Sequence, residues 1–380
     1  MSLKFILLSS LSILSFVCAS PVHAAGAVTS RSTIRPRQLR PYYKSAHRRS
    51  NETEAVASIG ASITVDETAV DIAKAGDYPR FLRLSDGSIL AATSRTENGT
   101  QMIAITKSTN NGTSFSEFGT VAKGGDDMSN AVLLQLDSGK ILCAYRNHDK
   151  NAAGDYTYYR ITVSSSDNGG ATWDFLSQAA EQAATATKNG LWEPFMRLGA
   201  KGDVQVTYSG ELAADNQETF RVTSTTDGKD WTSPTNLHLH STSDNWRDGM
   251  QSILPFKDSN GTDALVMVLE SLQTDHFLID SVVSAGSPQV AKIGDDIAVI
   301  FGTDKDSGSH SGEWQFAAAS VMIFSEGLAT GKLSWSKELI TIGETPSFWP
   351  GVLEMGSDSV LAACGRDGVP QGKMVYHTTG

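Results

Sequence analysis

The sequence predicts an all-β protein, a six-bladed β-propeller with four antiparallel strands in each blade. Three observations support this fold class. A unit of two apolar strands around a Gly-bearing or Asp-bearing turn recurs six times. An eight-residue polar turn closed by an aromatic residue occurs three times between these units. The segments before the first unit and after the last can pair and so close a ring of blades.

The chain starts with a routing signal. Lys4, the apolar residues 5–17 and the small-residue motif Val22-His23-Ala24 predict a secretory signal peptide over residues 1–24. No other stretch is long and apolar enough for a membrane-spanning helix. We therefore expect a secreted, extracellular protein that does not bind membranes.

Residues 25–50 are basic and contain no acidic residue. This composition fits either a propeptide cut after Arg48-Arg49 or a disordered tail. Residues 1–50 carry eight Lys and Arg side chains, so without them the formal charge changes from −11 to −19. A strongly acidic domain argues against nucleic acid as a partner. We expect a monomer.

The six hairpin-like units have alternating Val, Ile and Leu around each turn. They cover residues 78–95, 129–146, 192–208, 247–270, 287–303 and 349–366. The flanking residues 62–72 and 374–377 are expected to pair as strands of one blade. We place a single propeller domain at residues 55–380, since large all-β domains reach about 250 residues or more.

The polar turns cover residues 108–115, 166–173 and 224–231, and their closing aromatic residues are 58 residues apart. In such a turn a short polar side chain accepts bonds from backbone amides, and glycine permits a positive φ. The aromatic ring can pack beneath the sheet. We interpret these turns as structural staples without a catalytic role.

Two other residue types bear on the compartment. Cys143 and Cys364 lie in apolar strand-like runs, and we favour two buried free thiols over a disulfide. Asn98, Asn111 and Asn260 each precede Gly-Thr, which predicts a glycoprotein.

Blade geometry places a set of polar and aromatic residues at one pocket. The start of a blade's innermost strand and the end of its second strand lie on one face of the disc, opposite the polar turns. The residues expected on that face are Arg80, Arg95, Asn130, Arg146, His148, Asp149, Trp192, Glu193, Tyr208, Trp246, Arg247, Asp248, Glu270, Trp349, Arg366 and Asp367. Arginine, asparagine and aspartate there can bind sugar hydroxyls, and tryptophan can stack on sugar rings. His148-Asp149 can orient a nucleophile or form a plain surface turn.

Glu193 and Glu270 are the candidate catalytic residues. Each lies at the pocket end of an apolar strand, on neighbouring blades. Glycoside cleavage needs two carboxyl groups across the scissile bond, one as acid and one as nucleophile or base. The alternative is that each glutamate pairs with an arginine and stabilises the strands.

Several motifs resemble a known family. They are Tyr78-Pro79-Arg80, the string Tyr145-Arg146-Asn147-His148-Asp149, Trp192-Glu193-Pro194-Phe195, Arg247-Asp248-Gly249-Met250 and Phe348-Trp349-Pro350-Gly351. Over about residues 60–380 the chain resembles glycoside hydrolase family 93, and its polar turns resemble the Asp-box (BNR) repeat of sialidase-type propellers. The resemblance implies a retaining exo-α-1,5-L-arabinanase that releases arabinobiose from arabinan. It also implies Glu193 as nucleophile, Glu270 as acid/base, and neither metal nor cofactor.

Two rival functions remain. Arg80, Arg247 and Arg366 could form the arginine cluster of an exo-sialidase. A non-catalytic carbohydrate-binding propeller would keep the aromatic residues without needing two apposed carboxylates. An exo mode needs a wall at one end of the cleft, for which Glu313-Trp314 is our candidate.

Overall fold

Strands form all of the regular secondary structure in the described part of the chain. The computed structural model describes residues 2–9, 12–19, 61–124, 126–185, 190–213, 216–239, 246–273, 285–304, 318–326, 328, 333–336 and 338–379. Within these ranges there is no helix. The described residues therefore contain no helix that is long and apolar enough to cross a membrane. The all-β prediction is therefore confirmed.

Numbered along the chain, the strands are β1 (Ser2–Ser9), β2 (Ser12–Ala19), β3 (Ala61–Val65), β4 (Val70–Asp71), β5 (Asp77–Arg83), β6 (Ile89–Glu97), β7 (Thr100–Ser108), β8 (Ser116–Lys123), β9 (Asp127–Gln135), β10 (Ile141–Lys150), β11 (Tyr156–Ser166), β12 (Asp174–Ala183), β13 (Leu191–Leu198), β14 (Val204–Ala213), β15 (Asn216–Ser224), β16 (Thr235–Asn236), β17 (Trp246–Lys257), β18 (Asp263–Gln273), β19 (Ala285–Ile293), β20 (Asp296–Thr303), β21 (Ala319–Glu326), β22 (Ser334–Trp335), β23 (Ile340–Gly343), β24 (Phe348–Gly356), β25 (Ser359–Arg366) and β26 (Val369–Thr379).

All six predicted hairpins are confirmed. They are the antiparallel pairs β5–β6, β9–β10, β13–β14, β17–β18, β19–β20 and β24–β25. Further strands extend them outward, as in the four-stranded sheets β5 to β8 and β9 to β12. The last strand, β26, pairs with β3 and β4 from the other end of the domain, so the predicted pairing of the flanking segments is also confirmed.

The described strands form five sheets, whereas the sequence predicts six separate blades. The third and fourth hairpins share one sheet because a single parallel bridge, Gln217 with Arg247, joins β15 to β17. The fourth unit also contributes only β17 and β18 to that sheet. In the same sheet, β1 pairs with β18 in parallel and β2 pairs with β1.

The polar turns have the local structure predicted for them. The Ser166 hydroxyl oxygen accepts a hydrogen bond from the Gly170 amide at 2.9 Å, and Ser108 and Ser224 accept equivalent bonds at 2.9 and 3.0 Å. Gly170 has a φ of 92°, and a β-carbon there would lie 2.8 Å from Leu90 of the neighbouring sheet. Glycine is therefore required both for the turn and for the close approach of two sheets.

Apolar side chains between adjacent sheets form the core. Leu90, Ile103 and Ile141 are fully buried in the cluster between the first two sheets, which also contains Cys143. Each fully buried aliphatic side chain of this kind stabilises the fold by about 1.5–3 kcal/mol. Cys143 and Cys364 are buried and free, as predicted.

Candidate active site

The six inner strands share a backbone irregularity near their starts. In each, one residue other than glycine has a φ between 50° and 57°. These residues are Tyr78 on β5, Asn130 on β9, Glu193 on β13, Met250 on β17, Ser287 on β19 and Trp349 on β24. The strand register shifts at the same points, as at a β-bulge that redirects a side chain. Such conformations cluster at functional sites.

The structure brings the two predicted glutamates, Glu193 and Glu270, together beside one of these bulges. Gly249 lies against both of them: a β-carbon at Gly249 would be 2.8 Å from Oε2 of Glu193 and 3.2 Å from Oε1 of Glu270. The two carboxylate oxygens are therefore no farther apart than the sum of these distances, 6.0 Å. A single sugar ring can reach both carboxylates at that separation.

Main-chain amides of the following unit anchor both carboxylates. The Met250 amide donates to Oε2 of Glu193, and the Ser287 amide donates to Oε2 of Glu270, each at 2.8 Å. The Ser209 hydroxyl also lies 3.5 Å from Oε2 of Glu193. Because Met250 and Ser287 are the positive-φ residues of their strands, the bulges supply the donors that orient the pair.

Both carboxyl groups have pKa values above the ordinary range for glutamate. Burial, followed by the charge of Glu193, raises the pKa of Glu270 to about 7. Burial also raises the pKa of Glu193, against the opposing effects of the Met250 amide, Arg146 and Arg247. Each side chain keeps part of its surface open to solvent. Glu270 can therefore carry a proton near neutral pH and serve as an acid.

A buried polar network lies beside the pair. Nη2 of Arg247 donates to Glu211 at 2.7 Å and to the side-chain oxygen of Gln217 at 2.8 Å. Gln217 donates to the Asp248 carbonyl at 2.6 Å, and the Ser271 hydroxyl donates to the Asp248 carboxylate at 2.7 Å. Asp248 is only 1% exposed. Arg247 thus bonds to protein acceptors and Asp248 is buried, and contacts of these two residues with sugar hydroxyls stay a prediction.

Arg80 lies close enough to Glu193 for their charges to interact. Its Nη1 donates to the carbonyls of Pro79 and Pro350, each at 2.9 Å, and its guanidinium stacks on Tyr78 at 3.7 Å. Its Nη2 is buried and has no hydrogen-bond partner among the described residues. An unpaired buried donor is unfavourable, so this atom is a candidate donor to a bound hydroxyl group.

Three other predicted substrate-binding residues lie near the starts of inner strands. Asn130 is buried, and its side-chain oxygen has no partner within the described ranges. Trp349 and Trp246 are half-buried, and the Trp349 ring lies 6.5 Å from that of Tyr78. Half-buried aromatic rings of this kind can stack on a sugar.

His148 is not accessible to a substrate, contrary to prediction. His148 is fully buried, its Nε2 lies 2.7 Å from the Leu191 carbonyl oxygen, and burial lowers its pKa to about 3. Asp149 forms an ion pair with Arg160 at 2.7 Å. Trp192 packs edge-on against His148, 4.9 Å away, so its ring is largely committed to this aromatic cluster.

Tyr208 also faces away from the pocket. It is buried and stacks on Phe220 at 5.9 Å. Neighbouring residues on a strand point to opposite faces, and on β14 it is Ser209 that reaches Glu193. Glu211, two residues further, shares the face of Ser209. Alternation along the strand places Glu211 on the same face as Ser209, and this pattern in the sequence could have identified Glu211 as a residue near the pair.

A cleft of about 590 Å³ lies between the first, second and sixth inner strands. Its lining includes Asp77, Arg95, Asp127, Arg146 and Phe348. Arg146 is bonded to Asp127 at 2.8 Å and interacts electrostatically with both Asp77 and Glu193. Burial raises the pKa of Asp77 to about 6. The volume is in the range of sites that hold small ligands, about 300–1,000 Å³.

Within the described ranges, no group of three or more His, Cys, Asp or Glu residues is placed to hold a metal ion. Glu313 and Trp314, predicted to wall one end of the cleft, lie outside the described residues.

Comparison with known proteins identifies structural neighbours only. No protein-family model matches the chain, and no curated protein matches its sequence. Among solved structures, it is similar to an α-L-arabinanase of Penicillium chrysogenum complexed with arabinobiose, at 18% identity and a TM-score of 0.58, over 82% of this chain and 98% of that one.

Two structures from Fusarium graminearum are also similar. One is an α-L-arabinofuranosidase with an iminosugar inhibitor, at 15% identity over 80% of this chain and 97% of that one, with a TM-score of 0.47. The other is a GH93 α-L-arabinofuranosidase with arabinobiose, at 18% identity over 83% and 85%, with a TM-score of 0.41. The similarity to the Penicillium protein shows a shared fold.

Proposed function

We propose that the protein is a glycoside hydrolase that cleaves arabinan, with Glu193 and Glu270 as its catalytic pair. One observation carries this proposal: two partly accessible, desolvated carboxylates lie within 6.0 Å of each other against Gly249. Two carboxyl groups on one pocket are what glycoside cleavage requires. A purely structural role would be better served by direct pairing with arginine.

Glu193 is the nucleophile in this proposal and Glu270 the acid/base. Arg146, Arg247 and the Met250 amide all favour the ionised form of Glu193. Glu270, with its pKa raised to about 7 by burial and by Glu193, can carry a proton at neutral pH. The same assignment is implied by the family resemblance.

The reaction then has two displacements. Glu193 attacks the anomeric carbon while Glu270 donates a proton to the departing glycosidic oxygen. In the second step Glu270 takes a proton from water, the water oxygen bonds to the anomeric carbon, and Glu193 leaves. A separation of at most 6.0 Å supports this retaining course, since retaining pairs lie about 5–5.5 Å apart and inverting pairs about 6.5–9.5 Å apart.

Arabinan is proposed as the substrate, with exo-acting release of arabinobiose. The family resemblance supports both parts, and the similar Penicillium structure was solved with arabinobiose. We further propose that the domain has six propeller units, because six inner strands repeat the same bulge. Secretion after removal of residues 1–24 completes the proposal.

The sialidase alternative is less favourable. Nη1 of Arg80 is bonded to two carbonyls, and Arg247 is bonded to Glu211 and Gln217. Arg366 is 41% exposed beside Asp367. Two of the three arginines are thus bonded to protein acceptors, which disfavours a shared role in binding a sialate carboxylate.

Product analysis tests the proposal. The secreted domain is incubated with linear α-1,5-arabinan and, separately, with sialyl-lactose, and the products are separated by chromatography. We expect arabinobiose from arabinan and no product with Glu193→Gln. Free sialic acid would favour the sialidase alternative. Binding of arabinan that is unchanged in Glu193→Gln, without turnover by either form, would favour a carbohydrate-binding protein.

A further inference from the structure

Glu211 is a buried carboxylate that has no role in the proposed reaction steps. Its side chain, near the end of β14, is 7% exposed. One oxygen accepts a bond from Arg247 at 2.7 Å, and the other accepts a bond from the Gly190 amide at 3.0 Å. A buried charge is costly unless it is paired, and Arg247 is the cation that pairs with it.

Arg247 acts on both members of the candidate catalytic pair. Its charge opposes the rise in the pKa of Glu193 and of Glu270. Glu211 and Gln217 together fix its position. The backbone bridge between Gln217 and Arg247 is also the link that joins the third and fourth units into one sheet. The network therefore stands at the junction between the unit that holds Glu193 and the unit that holds Glu270.

We propose that Glu211 is a positioning residue for the catalytic pair: it fixes Arg247 beside Glu193 and Glu270 and offsets part of the positive charge that Arg247 presents to them. The catalytic role of Glu193 and Glu270 that this inference uses rests on the proposed function. The geometry itself, two acceptors bonded to one guanidinium beside two carboxylates, is independent of the substrate.

Opposite effects follow from removing the two charges. Glu211→Gln keeps an acceptor for Arg247 but removes the negative charge, so the cation acts more strongly on the pair and the pKa values of the pair fall. Arg247→Met removes the cation, so those pKa values rise. The other groups that face Glu193 are Tyr78, Arg80 and Arg146, and both variants leave them unchanged.

The test measures the two carboxyl groups directly in the whole folded protein without substrate. Glutamate labelled with ¹³C at the side-chain carboxyl carbon is titrated by NMR, and Glu193→Gln and Glu270→Gln assign the signals. We expect Arg247→Met to raise the apparent pKa values of the pair by about one unit and Glu211→Gln to lower them, in line with one charge at short range. Arg247→Lys keeps the cation, so the pKa values of the pair in this variant should stay close to those of the parent protein.

Glu218→Gln is the matched control, because the Glu218 side chain is also 7% exposed and pairs with His238 and Asn236 away from the two glutamates. A Glu211→Gln titration that matches Glu218→Gln would overturn the proposal, as would shifts of the same sign in Glu211→Gln and Arg247→Met. Because no substrate is used, these outcomes are distinct from a failure of the proposed function, in which the titrations behave as expected and arabinan remains uncleaved.

Discussion

The Met250 amide donates a 2.8 Å hydrogen bond to the carboxylate of Glu193, across the boundary between two propeller units. Both residues have a positive φ, 51° and 54°. The two bulges thus fit together: one positions a carboxylate, and the next directs an amide toward it. Gly249, the residue before Met250, brings its backbone against both catalytic candidates.

Replacing Gly249 tests how tightly the pair is placed. In Gly249→Ala the added methyl group would lie 2.8 Å from Glu193 and 3.2 Å from Glu270, so at least one carboxylate must shift. Because small misplacements of reacting groups are costly, we expect kcat on arabinan to fall about 10- to 100-fold. Steady-state kinetics of the folded variant measure this.

Gly356→Ala is the control for that variant. Gly356 also lies on an inner strand, but a β-carbon there would be 3.6 Å from its nearest neighbour. Its kcat should match that of the parent protein. Wild-type kcat in Gly249→Ala would show that the carboxylates are not held against this glycine.

The buried Glu270 should make stability depend on pH. Its pKa rises from 4.5 in the unfolded chain to about 7 in the folded protein. Below pH 4.5 it is neutral in both states, so it has no effect. Between these values the unfolded chain releases the proton first, and the free energy of unfolding falls as pH rises, until the loss is complete above about pH 7.

Glu270→Gln should therefore be more stable than the parent at pH 8, by on the order of 1–3 kcal/mol, and equally stable near pH 4. Urea unfolding at the two pH values measures the difference. Glu354→Gln, at an exposed position on β24, should show no such pH-dependent gain. An equal effect of Glu270→Gln at both pH values would contradict the raised pKa of Glu270 in the folded protein.

The polar turns should affect stability without affecting catalysis. Ser166→Ala leaves the Gly170 amide without its 2.9 Å acceptor, which should lower the free energy of unfolding by about 1 kcal/mol. The turn joins β11 to β12, and blade geometry predicts that it lies on the face opposite the pocket, so kcat should not change. Ser138→Ala, in an exposed turn with a 3.4 Å contact, is the control, and a loss of kcat in Ser166→Ala would contradict the separation of the two faces.

Local sequence patterns were sufficient for most of the fold. Each hairpin has its own alternation of apolar residues and its own turn, as at Asp86-Gly87 and Ser138-Gly139, so all six could be predicted without knowing how they pack. The number of separate sheets could not be predicted. It depends on the bridge between Gln217 and Arg247, a contact between residues distant in sequence.

The candidate site was predictable only where strand ends determine position. Glu193 and Glu270 meet because each lies at the pocket end of its strand. Tyr208 was misplaced because strand alternation decides which residue of a neighbouring pair lies on the side of Glu193, and here Ser209 does so. Glu211 was missed because its role depends on a bond to Arg247 from another unit.

Chemical rescue distinguishes the roles of Glu193 and Glu270. An activated α-L-arabinoside is supplied with sodium azide, and the anomeric configuration of the product is determined by NMR. We expect Glu193→Ala to give a glycosyl azide of inverted configuration, because azide replaces the nucleophile. Glu270→Ala should give one of retained configuration, because azide replaces the activated water. The reverse pattern, or turnover in Glu193→Ala without azide at the parent rate, would contradict the assignment.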